Sequence, residues 1–160
     1  MNTTTLPSMQ TIILDPNQTE LIQAGPQDYV VGFLFRNEGD EVALIRKSKP
    51  AWQKGFLNGV GGKIEDDELP ISAMVREFEE EAGAYVLNWR NFAVMTLKDG
   101  GQIYFYASHE IAEIESKTEE EVSWHPVAHL RQYGVLDSLN WLVPLALDKD
   151  GAVVEIKQQS

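Results

Sequence analysis

Residues Gly61–Ala84 read GGKIEDDELPISAMVREFEEEAGA, and this stretch predicts an acidic helix bounded by glycines. Pro70 suits the first turn of a helix, where its missing N–H leaves no hydrogen bond unmade. Gly83 suits the position just past the end of the helix, where a left-handed backbone conformation is common. Between them, four apolar residues recur at helical spacing and predict one buried stripe: Ile71, Val75, Phe78 and Ala82.

The acidic residues of this helix predict a metal site. At about 100° per residue, Glu77 and Glu81 lie about 40° apart, and Glu80 lies about 60° to the other side of Glu77. We expect all three carboxylates to point away from the apolar stripe into solvent, where they repel one another unless a cation lies between them. Hard oxygen ligands select Mg2+, with Mn2+ as a close substitute. The alternative is a solvated helix face, but such a face gains nothing from the flanking glycines or from Arg76.

Composition places the chain among globular proteins with one domain. Its 160 residues include 43% hydrophobic ones and no cysteine, so we expect a single domain over residues 1–160 without disulfides or thiolate metal sites. The first ten residues are polar, and we expect residues 1–10 to form a loose tail. The N-terminal stretch lacks the pattern of a signal peptide, and no apolar run reaches about 18 residues. We therefore expect a cytoplasmic protein with no membrane partner.

The charge of the chain restricts its partners. The net charge is −12, with 25 acidic against 13 basic residues, which disfavours a nucleic-acid partner. A polyphosphate substrate agrees with this charge once a bound divalent cation inverts the local field. The charge therefore disfavours nucleic acid, and it is compatible with an anionic substrate only when a metal ion is bound.

Hydrophobic periodicity predicts a mixture of strands and helices. We expect strands at 29–36, 41–46, 57–64, 91–97, 102–107, 121–124 and 152–156. We expect helices at 70–82, 126–133 and 138–147. Because these elements alternate irregularly, with hairpins among them, the pattern indicates an α/β fold in which a mixed sheet carries helices on its faces.

The acidic helix and its flanks follow a spaced pattern. From Gly62 the pattern runs G-x5-E-x7-R-E-F-x-E-E-x-G-A and ends at Ala84. It resembles the Nudix box, the signature of enzymes that hydrolyse a nucleoside diphosphate linked to another moiety. The resemblance implies a Nudix-type α/β/α sandwich with a mixed β-sheet. Phe78 and Ala84 stand where an aliphatic residue of medium size is typical, and we expect small shifts in the core rather than lost chemistry.

The resemblance also implies roles in the chemistry. The implied metal ligands are the carbonyl of Gly61 and the carboxylates of Glu77, Glu80, Glu81 and, from a later loop, Glu120. Arg76 joins these carboxylates in the catalytic set. Water attacks phosphorus, and either Glu77 or Glu120 accepts its proton. One position on either side of Glu120 fits the sequence equally well, and a solvated turn over 119–121 is the alternative.

Further residues support the box or contact phosphate in this resemblance. Arg76 and Glu68 form a pair that holds the loop against the helix. Lys63 lies where a basic side chain contacts phosphate, and the basic stretch 46–49 is a candidate for a terminal phosphate. The remaining structural support comes from Gly62 and Gly83.

Segments outside the box are similar to Nudix enzymes that remove oxidised purine nucleoside triphosphates. This similarity implies that Asn58 hydrogen-bonds the base. It also implies that Asp137, at the start of a late helix, contacts the base edge. The alternatives are a turn role for Asn58, a helix cap for Asp137 and core packing for Trp141.

The working hypothesis is a Mg2+-dependent pyrophosphohydrolase that converts a nucleoside triphosphate, such as an oxidised purine nucleotide, to the monophosphate and pyrophosphate. The alternative enzyme acts on ADP-ribose or another nucleoside diphosphate conjugate. A lesser alternative is a Nudix module that senses a nucleotide without cleaving it, although such modules usually lose box carboxylates that this chain keeps. Nudix folds often form homodimers, but the sequence identifies no interface.

Overall fold

The computed structural model describes residues 25–159. The expected loose tail at 1–10 lies outside this range. None of the helices formed by residues 25–159 combines the length and the apolar character needed to cross a bilayer.

Eight strands and two α-helices make up the described part of the chain. The strands are β1 (Tyr29–Arg36), β2 (Glu41–Arg46), β3 (Leu57–Asn58), β4 (Val60–Lys63), β5 (Arg90–Thr96), β6 (Gln102–Ser108), β7 (Val122–Pro126) and β8 (Val154–Lys157). The helices are α1 (Pro70–Ala82) and α2 (Leu139–Leu147), and the short 3-10 helices are Asn37–Gly39, Ala51–Gln53 and Val127–Tyr133. As predicted, α1 begins at Pro70 and ends before Gly83, whose φ of 71° is left-handed.

All eight strands belong to one mixed sheet with β1 near its centre. The strand order is β3-β2-β1-β6-β5-β8, with β4 also paired to β1 and β7 paired to β2. β1 runs parallel to β6, and β5 runs parallel to β8, whereas the other pairings are antiparallel. Residues 29–32 of β1 pair with β4, and residues 34–36 pair with β2. Two strands therefore share one edge of β1.

The strand expected at 57–64 is divided in two at Gly59. The first part, β3, pairs with β2, and the second part, β4, pairs with β1. A side chain at Gly59 would meet Val31 and the carbonyl oxygen of Gly32. The close approach of β1 therefore requires glycine at the point where the chain changes partner.

The two faces of the sheet carry separate hydrophobic cores. Side chains alternate along β1, so Val30 and Leu34 pack beneath α1, whereas Phe33 and Phe35 pack beneath α2. The core under α1 includes Met74 and other residues of that helix. The core under α2 is formed by the other face of the sheet and by the helix itself. This arrangement confirms the predicted α/β/α sandwich with a mixed sheet.

The buried face of α1 differs from the predicted stripe. The expectation that Ile71 belongs to it was wrong, since Ile71 is 36% exposed and the buried residues are Ala73, Met74, Phe78 and Ala82. The reason is that Ile71 lies in the first turn, beside the exposed Leu69, where the helix extends beyond its packing partners.

The buried face of α1 also corrects the expected exposure of the carboxylates. At about 100° per residue, Glu77 and Glu81 fall within the arc between Ala73 and Ala82. Both are only partly exposed, and Glu80 alone of the three box carboxylates lies open to solvent. The expectation that all three point away from the packed face was therefore wrong for two of them.

Substitutions in α1 test this assignment of its buried face. Phe78→Ala is expected to lower the free energy of unfolding by about 3–5 kcal/mol, because Phe78 is completely buried against Trp89 with ring centroids 5.2 Å apart. Ile71→Ala is the matched control and is expected to change it by less than about 1 kcal/mol. Urea unfolding of both variants measures the difference, and equal losses would contradict the assignment.

Candidate active site

The site begins where α1 packs on β4. A side chain added at Gly61 would overlap the carbonyl oxygen of Val30 in β1, and one added at Gly62 would overlap the carboxylate of Glu77. Both glycines are therefore required by close approach rather than by an unusual backbone angle. The absence of a side chain at Gly62 is what lets Glu77 turn its carboxylate toward the strand.

Arg76 holds the loop before the helix in place. Its Nε donates to Oε2 of Glu68 at 2.8 Å and its Nη2 donates to Oε1 of Glu68 at 2.9 Å. Nη2 also donates to the carbonyl oxygen of Lys63 at 3.0 Å, and the backbone N–H of Glu65 donates to Glu68 at 2.9 Å. The structure thus brings Arg76 and Glu68 together as a two-pronged pair that ties residues 63–68 to the helix.

The third nitrogen of the same guanidinium faces the box carboxylates. Arg76 Nη1 lies 3.0 Å from Glu77 Oε2 and 3.3 Å from Glu80 Oε1. The hydrogen bonds that Arg76 donates to Glu68 are the largest cause that raises the pKa of Arg76, and the negative charge of Glu77 adds to them. Arg76 is therefore a permanent counter-charge for three carboxylates at once.

Burial makes two of the box carboxylates costly to ionise. Burial is the main cause that raises the pKa of Glu77, although the hydrogen bond from Arg76 opposes it. Burial is also the main cause that raises the pKa of Glu81 to about 7, and the nearby negative charges of Glu77, Glu120 and Glu80 contribute to this rise. Lys47 opposes this shift with its positive charge. Half-buried carboxylates of this kind are common at functional sites.

One oxygen of Glu81 is left without a partner. Within residues 25–159, Glu81 Oε1 is buried and receives no hydrogen bond. A buried acceptor that lacks a donor is expensive unless something else binds it. Among residues 25–159, no three acidic or histidine side chains are already arranged to hold a metal ion. The unpaired oxygen and the clustered carboxylates nevertheless form a set of oxygen ligands that suits a hard cation. Arg76 already pairs with two of these carboxylates, Glu77 and Glu80.

Glu120 lies inward on the acidic loop, which we define as residues 116–121. It is only 7% exposed, whereas Glu119 and Glu121 are exposed, so the solvated-turn alternative is wrong for this residue. Lys47 Nζ lies 3.3 Å from its Oε1, and the hydroxyl of Ser48 donates to its Oε2 at 2.9 Å. The backbone N–H of Ser48 also donates to Oε2. Burial raises the pKa of Glu120, but the bonds from Ser48 and the charge of Lys47 outweigh it and lower the pKa overall.

The segments that contain Asn58 and Asp137 pair with each other at the β3 edge of the sheet. Leu57, beside Asn58, accepts a hydrogen bond at 2.9 Å from the N–H of Leu136, beside Asp137. Asn58 Oδ1 accepts from its neighbour Gly59 at 2.7 Å, as a turn residue does. Asp137 is exposed and accepts from the amide of Asn140 at 3.3 Å.

Two alternatives considered for this late segment do not describe the structure. The N-cap of α2 is Ser138, so Asp137 is not the helix cap. Trp141 is 42% exposed, so it is not a core residue. Both side chains are instead available at the surface beside β3.

An exposed cleft brings several expected residues together. Its lining includes Lys63, Arg76, Glu77 and Glu80. Asp137 instead lines a second, smaller cleft with Arg131 and Asn140. The structure thus places Asp137 in a different cleft from Glu77 and Glu80.

Sequence reasoning missed the partners of Glu120. Lys47 and Ser48 were expected only as part of a basic stretch, 46–49, for a terminal phosphate. In the structure Lys47 pairs with Glu120, and Arg46 Nη1 donates to the carbonyl oxygen of Gly55 at 2.8 Å. No periodicity or motif links positions more than 70 residues apart, so no sequence signal indicated these contacts.

The raised pKa of Glu81 generates a stability prediction. Glu81 ionises near 4.5 in the unfolded chain but near 7 in the folded protein. As the pH rises from about 4.5 to 7, the unfolded chain loses this proton first, so folding becomes less favourable. Glu81→Gln is therefore expected to raise the free energy of unfolding of the metal-free protein by about 1–3 kcal/mol at pH 8, and by less at pH 5.

Urea unfolding in the presence of a chelator measures this gain. Glu79→Gln is the matched control, because Glu79 is an exposed carboxylate on the same helix. A Glu81→Gln protein no more stable at pH 8 than the wild type would contradict the assigned burial.

Comparison with known proteins identifies the family. A family model described as the NUDIX domain matches residues 26–142. The chain is 32% identical over 98 residues to an uncharacterized Nudix hydrolase, YvcI, of Bacillus subtilis, covering 55% of this chain and 60% of that protein. It is 42% identical over 50 residues to an 8-oxo-dGTP diphosphatase of Escherichia coli, covering 31% of this chain and 39% of that protein. The chain thus spans less than two thirds of either relative.

Solved structures with the same fold share little sequence with this chain. The MutT protein of Bacillus halodurans has a TM-score of 0.67 at 19% identity, covering 84% of this chain and 91% of its own. The Nudix domain of Shewanella oneidensis NrtR, solved with ADP ribose, has a TM-score of 0.65 at 16% identity, covering 83% of this chain and 91% of its own. Since the family model spans well over half of the chain, the chain belongs to the Nudix family.

Proposed function

We propose that this protein is a Mg2+-dependent hydrolase that cleaves a nucleoside triphosphate to the monophosphate and pyrophosphate. The observation that carries the proposal is the pair of half-buried carboxylates, Glu77 and Glu81, with one buried oxygen of Glu81 unpaired. Burying like charges beside one another is costly unless a cation binds between them. The family membership supports the same conclusion.

The residues of the cluster have different roles in the proposed reaction. Glu77, Glu80 and Glu81, with the carbonyl of Gly61, would hold the ions, and Glu120 lies beside Glu81. When bound, Mg2+ neutralises charge on the phosphates and lowers the pKa of the attacking water. Arg76 keeps Glu77 and Glu80 together before binding, and Lys63 lies on the same cleft, where it can contact phosphate.

In the proposed reaction, the oxygen of water bonds to phosphorus and the anhydride P–O bond breaks. The electron pair of that bond leaves with pyrophosphate, and a carboxylate accepts the proton of the water. Glu77 and Glu120 are the two candidate acceptors. Glu120 already accepts three hydrogen bonds from Lys47 and Ser48, so its capacity to accept a proton is reduced. Because the oxygens of Glu120 are already hydrogen-bonded, Glu77 is the favoured acceptor of the proton.

The substrate proposal is a purine nucleoside triphosphate, such as an oxidised one. The segments of Asn58 and Asp137 pair at one edge of the sheet, and the Asp137 carboxylate is exposed there, which supports a role in contacting a base. The similarity to an 8-oxo-dGTP diphosphatase points the same way, although the match covers 39% of that protein.

ADP-ribose or another nucleoside diphosphate conjugate is the second candidate substrate. The NrtR domain that shares this fold was solved with ADP ribose, and the cleavage chemistry would be the same. A sensing module without catalysis is a lesser candidate, because the chain keeps Arg76 and every carboxylate of the box.

Single substitutions in the box test the metal assignment. Glu80→Gln and Glu81→Gln are each expected to lower kcat by about a hundredfold or more, because each removes a charged oxygen ligand from the cation. Both proteins are expected to stay folded, since neither side chain belongs to the hydrophobic core. Pyrophosphate release at saturating Mg2+ measures kcat, with Glu79→Gln as the control. An unchanged kcat in both variants would overturn the assignment.

A substrate panel tests the choice of leaving moiety. The panel holds natural and oxidised nucleoside triphosphates, ADP-ribose, NADH and dinucleoside polyphosphates with Mg2+, and chromatography identifies the products. Monophosphate and pyrophosphate from a purine triphosphate are the expected products. Asn58→Ala and Asp137→Ala are then expected to raise KM about tenfold with kcat nearly kept, as lost hydrogen bonds to the base would. The exposed Asp150→Ala is the control.

The outcomes of the panel differ in meaning. AMP and ribose 5-phosphate from ADP-ribose would keep the mechanism and replace the substrate. Binding of a nucleotide without turnover, in Mg2+ or Mn2+, would support the sensing module instead.

A further inference from the structure

The acidic loop joins helix α1 to strand β2. At one end, the N–H of Lys117 donates to the carbonyl oxygen of Glu81 at 3.2 Å, and the N–H of Glu115, just before the loop, donates to that of Ala82 at 2.8 Å. At the other end, Arg46 donates from its backbone to Glu121 at 2.9 Å. The loop therefore lies beside the carboxylate cluster, with both ends fixed by backbone hydrogen bonds.

Glu120 is held inside this loop by a separate part of the chain. Lys47 and Ser48 together direct three hydrogen bonds onto its two oxygens. The backbone of Lys47 is itself fixed, because its N–H donates to Phe56 at 2.9 Å and its carbonyl accepts from Gly55 at 2.8 Å. Glu120 thus has one defined orientation, set by a rigid neighbour.

This arrangement brings like charges together rather than apart. Glu120 is close enough to Glu81 for their negative charges to interact, and Lys47 interacts favourably with both. A carboxylate that served only to close the loop would be more stable farther from Glu81. The one buried carboxylate of 119–121 instead lies where its charge acts on Glu81, which indicates a role in the site itself.

We propose that Lys47 and Ser48 are positioning residues for the site, which orient the Glu120 carboxylate toward Glu81 so that both can act on one bound cation. Ser48 sets the orientation through its hydroxyl and N–H. Lys47 supplies the positive charge that keeps Glu81 and Glu120 close before the cation arrives. The inference rests on the proposed function, and it adds residues from outside the box to the machinery.

Substitutions at Ser48 and Lys47 have defined expected effects. Ser48→Ala removes one of the three hydrogen bonds and is expected to lower kcat about tenfold with KM unchanged, because Glu120 does not bind the base. Ser48→Thr keeps the hydroxyl and is expected to restore most of kcat. Lys47→Met is expected to lower kcat by ten- to a hundredfold, and Lys47→Arg is expected to recover part of it. The exposed Lys98→Met, outside the basic stretch, is the matched control.

A double-substitution cycle separates positioning from general damage to the fold. In a Glu120→Gln background, Ser48→Ala is expected to lower kcat by less than about twofold, because the group that Ser48 positions is already gone. Losses that multiply with that of Glu120→Gln would overturn the inference, and so would a Ser48→Ala enzyme with wild-type kcat.

Calorimetric titration with Mn2+ gives a readout that does not need turnover. Ser48→Ala is expected to weaken Mn2+ binding several-fold in the wild-type background and to have no effect beside Glu120→Gln. If the wild type binds Mn2+ but hydrolyses none of the panel, the proposed function fails while this coupling still tests the positioning role. Equal Mn2+ affinity for wild type and Ser48→Ala, or no Mn2+ binding by the wild type, would overturn the inference.

Discussion

Helix α1 lies so close to β4 that the carboxylate of Glu77 occupies the space that a side chain at position 62 would need. This close packing determines the rest of the site. It turns Glu77 and Glu81 toward the sheet and leaves Glu80 in solvent. It also leaves the guanidinium of Arg76 at the edge of the helix, where it can contact Glu68 in the preceding loop and the carboxylates at the same time. A side chain at position 62 would fill this space and would disturb all of these contacts together.

The carboxylate cluster opposes the stability of the fold that contains it. Burial disfavours the charged forms of Glu77 and Glu81, and the two cations nearest to them, Arg76 and Lys47, compensate only in part. Natural proteins commonly retain such unfavourable groups where function requires them. The large hydrophobic cores on both faces of the sheet are what allow this chain to tolerate the cost.

Regular elements were predictable because they depend on local periodicity and on turn residues. Pro70 and Gly83 bounded α1 correctly, and the approximate positions of the strands along the chain followed from their hydrophobic patterns. Which arc of α1 faces the sheet was not predictable, since the spacing of Ile71 and Phe78 is helical but only Phe78 has a packing partner. The contacts of Glu120 were also hidden, because they join segments that only the folded sheet brings together. The identity of the box carboxylates thus came from spacing, and their burial came from tertiary packing.

The sandwich places its two cores on opposite faces of one sheet, and β1 contributes alternate side chains to each. Layers that are separated by a shared sheet exchange little strain, so the energetic effects of distant substitutions in them should add rather than couple. The layer around α2 and the β3 edge can therefore vary over evolutionary time while the layer around α1 stays constant. One scaffold of this kind can give rise to relatives that differ in what they recognise but not in the face that carries the carboxylates.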